Sequence, residues 1–285
     1  MTKEERIQIF NETVNIVKNG KYITPNTHEE IIIHGENEMM EETVFYGKKA
    51  EVNFNELDKF NTNIEVINQD CLIAAQELTR KGKNVAVLNM ASFQIPGGGV
   101  LKGSGAQEEN IFRRTNLFKS LYQFHYVGDN FNVKQKEERY PLDYNFGAIY
   151  TPYVTVFRNT EDLNYQLLEN PFTIGVITVP AVKNPTLKQD GTLQPWTITI
   201  TKNKIKQILT IALQHKHTSI ILSAFGCGAY KNPPTEIAKL FKQIIQEDNF
   251  KDKFENIIFA IIDDNNAYDT NKKGNLQPFK QTFET

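Results

Sequence analysis

Two carboxylates stand side by side at Glu108 and Glu109, directly after Gln107. Seven residues separate that trio from three consecutive glycines, Gly97, Gly98 and Gly99. A carboxylate placed at a reacting bond can deliver and remove protons. Glycines have no side chain to keep a ligand from the backbone N–H groups, and they permit φ > 0, so the triplet has the makings of an anion cradle. Neighbours on a helix point about 100° apart, so the two acids should do different jobs. The same residues also satisfy a plainer reading. A tight strand-to-helix turn needs glycine, and acids in a first helical turn favour the helix dipole.

A second junction of the same kind lies at 219–241, SIILSAFGCGAYKNPPTEIAKLF. An apolar strand ends in a loop with Gly226 and Gly228, and Asn232 with tandem prolines signals a helix start. Two strand–glycine–helix junctions can flank one pyrophosphate, each presenting N–H groups and a positive helix end. Phe225 and Tyr230 offer flat faces to a ribose or an adenine, or belong to the core. Asp70 closes the segment 64–69 and precedes a helix at Cys71, where it serves as an N-cap or as an acceptor for an adenine amino group.

The elements that must hold these residues are legible in the spacing. Ile7, Phe10, Val14 and Val17 predict an amphipathic helix over 3–19, stopped by Gly20. Short strands are expected at 31–33 and 43–46. From about residue 64, strands alternate with helices: IEVI, DCLIAAQELTRKG, VAVLNMA, a helix at 106–121, FTIGVITVPAV, helices near 201–215 and 235–247, SIILSAF and IIFAII. This alternation predicts an α/β fold of three layers around a mixed, mostly parallel sheet. Ligands in such sheets bind outside the carboxyl ends of the strands. Ser104 and Gln107 have the capping-box spacing, which predicts a helix start near Gly105. The Tyr- and Asn-rich stretch 122–170 reads as a long irregular connection with a short strand at 153–158.

Composition sets the outer bounds. A chain of 285 residues, 40% apolar and 11% aromatic, can bury a sizeable core. Its 32 basic side chains against 34 acidic ones give no surplus for non-specific nucleic-acid binding, so an anionic ligand must be held locally. Two cysteines, Cys71 and Cys227, are too few for a disulfide framework and fit a reducing, cytoplasmic setting. No run approaches the roughly 18 to 20 apolar residues of a membrane span. The five histidines lack ligand spacing, and neither metal nor cofactor is expected.

Taken together, GGG, seven residues and QEE resemble the signature of poly(ADP-ribose) glycohydrolases. NMASFQIPGGG, Arg113–Arg114, YTPYVTVFR at 150–158, ITVPAVKNP at 177–185 and SAFGCGAYKNPP at 223–234 resemble the bacterial-type branch. The likeness runs from ETVNIVKNGKY to the final strand. It implies a macrodomain-like domain at 61–285 with an N-terminal helical extension at 1–60. It further implies hydrolysis of the ribose–ribose bond at the end of poly(ADP-ribose), with ADP-ribose as product and polymer or ADP-ribosylated macromolecules as partners. Glu109 is then the general acid/base, and Glu108 completes the catalytic pair by holding ribose hydroxyls. The implied substrate-binding residues are Asp70, Asn89, Gly97, Gly98, Gly99, Val100, Gln107, Ala224, Phe225, Gly226, Cys227, Gly228, Ala229 and Tyr230. The stretch 122–148 departs from the family pattern, which leaves the polymer contacts open. A mono-ADP-ribosyl hydrolase and a non-catalytic ADP-ribose reader are the alternatives. Only the enzymes among these three need Glu109.

Overall fold

The computed structural model describes residues 1–263, 267 and 274–284. The chain divides into two compact units. The first holds residues 1–45, 91–141 and 149–176, and the second holds 46–90, 142–148 and 177–285.

In the first unit, α1 (Lys3–Asn19) begins with a complete capping box. Thr2 Oγ1 accepts from Glu5 N–H while Glu5 accepts from the Thr2 N–H, and Gly20 closes the helix in the left-handed conformation. Its apolar stripe buries Phe10 against Phe112 and Phe118, with ring centroids 6.4 and 5.7 Å away. A hairpin of β1 (Lys21–Ile23) and β2 (Glu30–Ile32) follows, then α2 (Glu36–Glu41) and β3 (Val44–Tyr46).

The predicted helix over 106–121 is two helices, α4 (Gln107–Arg114) and α5 (Leu117–Tyr122). The break has a local cause. Thr115 is extended and bridges Val156, and the Asn116 side chain accepts from the Thr155 N–H at 2.9 Å, so these two residues serve the neighbouring strand. That strand, β6 (Ala148–Arg158), begins five residues before the predicted 153 and pairs onward in the order β3-β6-β7, with β7 at Leu167–Val179.

The second unit carries β4 (Asn63–Ile67), α3 (Cys71–Arg80), β5 (Val85–Met90), α6 (Pro195–Gln214), β8 (Ser219–Leu222), α7 (Pro234–Ile245), β9 (Asn256–Ala260) and α8 (Leu276–Phe283). Its strands run in the order β5-β8-β9-β4, all parallel, with Val85 opposite Ser219, Ser219 opposite Asn256, and Asn256 opposite Asn63. Strands β5, β8 and β9 are buried on both faces, which explains their unbroken Val/Ile/Leu character. Helix α3 packs on β5, β8 and β9, while α8 packs on β4 and α7. Because these strands are parallel, Asp70, Asn89 and Ala224 all fall at or just beyond carboxyl ends on one edge of this sheet. The first turn of α6 precedes the predicted start. TITIT reads as strand, but Pro195 at the first helical position pre-sets φ for the helix. Among the described residues no helix is long and apolar enough to cross a membrane.

Candidate active site

In the first unit the glycine loop and the double acid meet as the spacing suggested, but the loop's N–H groups face the protein's own carboxylates. Glu108 accepts from the Ser92 N–H at 2.7 Å and the Gly97 N–H at 3.0 Å, using one oxygen for each. Glu109 Oε1 accepts from the Gly99 N–H at 2.8 Å. The Gly98 N–H bonds Ile95 O and the Val100 N–H bonds Gly97 O. All four donors from Gly97 to Val100 are engaged within the chain, so the expectation of open N–H groups at this loop is corrected.

The need for glycine follows from the closeness of the acids. Gly98 has φ +52°, and a Cβ there would lie 2.6 Å from Glu109 Oε1 and 3.2 Å from Glu108 Oε2. The two neighbours diverge in role. Glu108 is braced at both oxygens and lies near the buried Tyr122, whose phenol is pushed well above its usual range by burial, with the charge on Glu108 adding to the effect. Glu109 is tethered at one oxygen only. Its side chain is 7% exposed, and Oε2 is buried without a hydrogen-bond partner. A buried polar atom left unpaired costs stability, on the order of 1–3 kcal/mol, so this oxygen sets Glu109 apart from Glu108.

Ser104 does not cap α4. Ala106 occupies the N-cap without a side-chain bond, and Ser104 Oγ lies against Gly99 instead. Gln107 opens the helix and Val100 is buried in the short 3-10 turn 100–102.

In the second unit Asp70 is an N-cap. Its Oδ1 accepts from the N–H groups of Leu72 and Ile73 at 2.9 and 3.0 Å. Asn89 is fully buried at the end of β5. Its amide donates to Thr178 Oγ1 at 3.2 Å and its carbonyl oxygen has no partner.

The loop after β8 differs from the first. Asn232 N–H bonds Gly226 O and Cys227 N–H bonds Ala224 O. The N–H groups of Phe225, Gly226 and Ala229 have no acceptor among the described residues. The loop is held from its side by Asn232, whose Nδ2 donates to Val182 O at 2.7 Å and Gly226 O at 3.0 Å. Sequence reading assigned Asn232 to the helix cap. The cap position is Pro233, and the Asn232 side chain is a brace. Phe225 is fully buried and meets the Phe241 ring edge-on at 6.5 Å, which places it in the core. Tyr230 is partly exposed under the Lys183 ammonium, 5.7 Å from its ring centre. Cys227 is wholly buried and burial pushes its thiol far up, so it is unreactive structural filling. Gly228 completes the loop.

Three participants escaped the sequence reading: the Ser92 N–H, Thr178, and Arg113 in the role described below. The first is a backbone group and carries no side-chain signal. Thr178 lies in an apolar strand where a lone hydroxyl reads as ordinary β composition. Among the described residues no group of His, Cys, Asp and Glu is arranged to hold a metal ion.

With this geometry in view, the likeness to known proteins is specific. The family model for the microbial-type PARG catalytic domain matches residues 11–159. A poly(ADP-ribose) glycohydrolase of Thermomonospora curvata, solved with the inhibitor ADP-HPD, is similar over 98% of this chain and 100% of its own, with 30% identity and a TM-score of 0.80. The poly(ADP-ribose) glycohydrolase of Deinococcus radiodurans, solved with ADP-ribose, matches 89% of this chain and 99% of its own at 26% identity and a TM-score of 0.69. A comparison with curated proteins finds no match. The chain belongs to the microbial-type poly(ADP-ribose) glycohydrolase family, and its activity is that family's hydrolysis of a glycosidic bond.

Proposed function

We propose that the enzyme removes ADP-ribose from the end of poly(ADP-ribose), with Glu109 moving the proton. The single observation behind this reading is the asymmetry of Glu109. One oxygen is fixed by the Gly99 N–H and the other is buried and unpaired. A carboxylic acid so held can give its proton to the leaving ribose oxygen as the ribosyl carbon develops positive charge, and the resulting carboxylate can take a proton from the water that attacks that carbon. One group thereby serves both steps, and bonds and protons balance: the C–O bond breaks, a new C–O bond to water forms, and Glu109 ends protonated as it began.

The same reading assigns the substrate's diphosphate to the second loop. Its uncommitted N–H groups at Phe225, Gly226 and Ala229 suit an anion. Glu108, already braced, orders the loop whose Gly99 N–H holds Glu109, and takes ribose hydroxyls at its edge. Asn89, with its unpaired buried carbonyl oxygen, and Asp70, at a strand end, belong to the substrate-binding set with Gln107 and Ala224–Tyr230, whereas the first loop, Gly97–Val100, positions Glu108 and Glu109. Residues 1–60 form an accessory extension of the catalytic residues 61–285, and its helix α1 is tied to α4 by the bond from Thr13 to the Arg113 carbonyl. The setting is cytoplasmic, and the partners are the polymer and ADP-ribosylated macromolecules.

The test compares wild type with Glu109→Gln on poly(ADP-ribose) and on mono-ADP-ribosylated protein, with ADP-ribose binding measured by calorimetry. Release from the polymer should fall by roughly a thousandfold or more in the variant while binding persists, the loss expected when an essential proton carrier is removed. Release from the mono-modified protein alone would identify a mono-ADP-ribosyl hydrolase, and binding without release would identify a reader.

A further inference from the structure

Behind Glu109 lies a buried cation that the reaction itself does not use. Arg113 is one helical turn beyond Glu109 on α4 and fully buried. Its Nε donates to Arg6 O at 3.1 Å, its Nη2 donates to Ser104 O over a short distance, and its own carbonyl accepts from Thr13 Oγ1 at 2.6 Å. Burial lowers the basicity of the guanidinium, while Tyr165 and Glu109 favour its charge. Nη1 is buried without a hydrogen-bond partner, and the Tyr165 hydroxyl is a neighbour of the guanidinium. That hydroxyl in turn donates to Glu161 Oε2 at 3.2 Å, and Glu161 pairs with Arg6 at 2.8 Å.

The Ser104 carbonyl is the informative partner. The Ser104 N–H donates to Gly99 O at 3.1 Å, and the Gly99 N–H is the donor that fixes Glu109. A chain of contacts therefore leaves α4 at Arg113, crosses the segment 99–104, and returns to α4 at Glu109. Arg114, the next residue, points elsewhere. Its Nε donates to Arg158 O at 3.2 Å, at the end of β6.

We propose that Arg113 is a positioning residue for Glu109: it holds the Ser104 carbonyl, and through the segment 99–104 it sets the Gly99 N–H that orients the proton-carrying carboxylate. This rests on the reading of Glu109 given above. The adjacent arginines then divide their labour, with Arg113 serving the rate and Arg114 serving the fold.

The experiment measures kcat and KM on poly(ADP-ribose), ADP-ribose binding by calorimetry and Tm for Arg113→Gln, Arg113→Lys, Tyr165→Phe, Arg114→Lys and Glu109→Gln. A small displacement of a reacting group costs up to about a hundredfold, so Arg113→Gln should lose about ten- to a hundredfold in kcat with ADP-ribose binding within about threefold of wild type. Arg113→Lys keeps the charge and N–H donors but loses the planar fork, and should recover part of that loss. Tyr165→Phe should lose a smaller part, and Arg114→Lys should lower Tm while kcat stays within about twofold. If Arg113→Gln does not fold, the lysine and phenylalanine variants decide. Wild-type kcat in both, or a parallel loss of ADP-ribose binding and kcat in either, overturns the positioning role. Activity surviving in Glu109→Gln overturns the reading of Glu109 instead, so the two failures are told apart.

Discussion

The two glycine loops follow parallel strands and look alike as sequence, yet they treat their backbone donors in opposite ways. Around Gly97–Gly99 every N–H is already bonded, two of them to Glu108 and Glu109. Around Gly226 three N–H groups have no acceptor among the described residues, and the loop is stiffened by the Asn232 side chain instead. A donor bonded to a side chain fixes that side chain, whereas a donor held open by other supports can receive a ligand. The first loop fixes carboxylates, and the second keeps N–H groups open, as the anion site proposed above requires. Glycine serves both designs with different neighbours: the acids approach closely in one, and Ala181 and Asn232 pack against Gly226 at a positive φ in the other.

That contrast is open to attack, and the largest effect is expected at the first loop. In Gly98→Ala the new methyl meets Glu109 Oε1 at 2.6 Å, at a φ of +52° that an L side chain resists. The carboxylate must move, and kcat should fall by about a hundredfold, while ADP-ribose affinity changes far less. Steady-state kinetics with calorimetry checks this. An equal fall in affinity would show that the first loop also binds. A smaller effect, opposite in kind, is expected from Gly226→Ala. There φ is +74° and the methyl meets Ala181 Cβ at 2.5 Å and Asn232 Nδ2 at 2.7 Å. The displaced loop should weaken ADP-ribose binding and raise KM by about tenfold, equivalent to about 1.4 kcal/mol, with kcat falling less. A pure kcat effect here would erase the distinction between the loops.

Much of this site was legible in the sequence, and the remainder was hidden for physical reasons. The alternation of apolar strands with helices gave the parallel order of the second unit, and Asp70 before Cys71 gave a true N-cap, because both signals are local. The double acid and the glycine triplet were found together, and their divergent directions followed from helix geometry. What the sequence could not show is which partner each N–H takes. Glu108 bonds residues 11 and 16 positions away and Glu109 bonds one 10 positions away, and no propensity reports such returns. Ser104 carried a capping pattern, but Arg113 and Gly99 hold it away from the helix start. Asn232 read as a cap, yet Pro233 fills that position and frees the amide to tie the loop. In each case a residue with a strong local preference is held instead by partners outside the helix start.

Amide hydrogen exchange followed by NMR, with and without ADP-ribose, distinguishes a loop that aims from a loop that receives. In the free enzyme Gly97 and Gly99 should be protected while Phe225, Gly226 and Ala229 exchange quickly. On adding ADP-ribose the second set should become protected and shift, with the first set little changed. New protection confined to Gly97–Gly99, with Phe225, Gly226 and Ala229 unaffected, would overturn the assignment of the anion to the second loop.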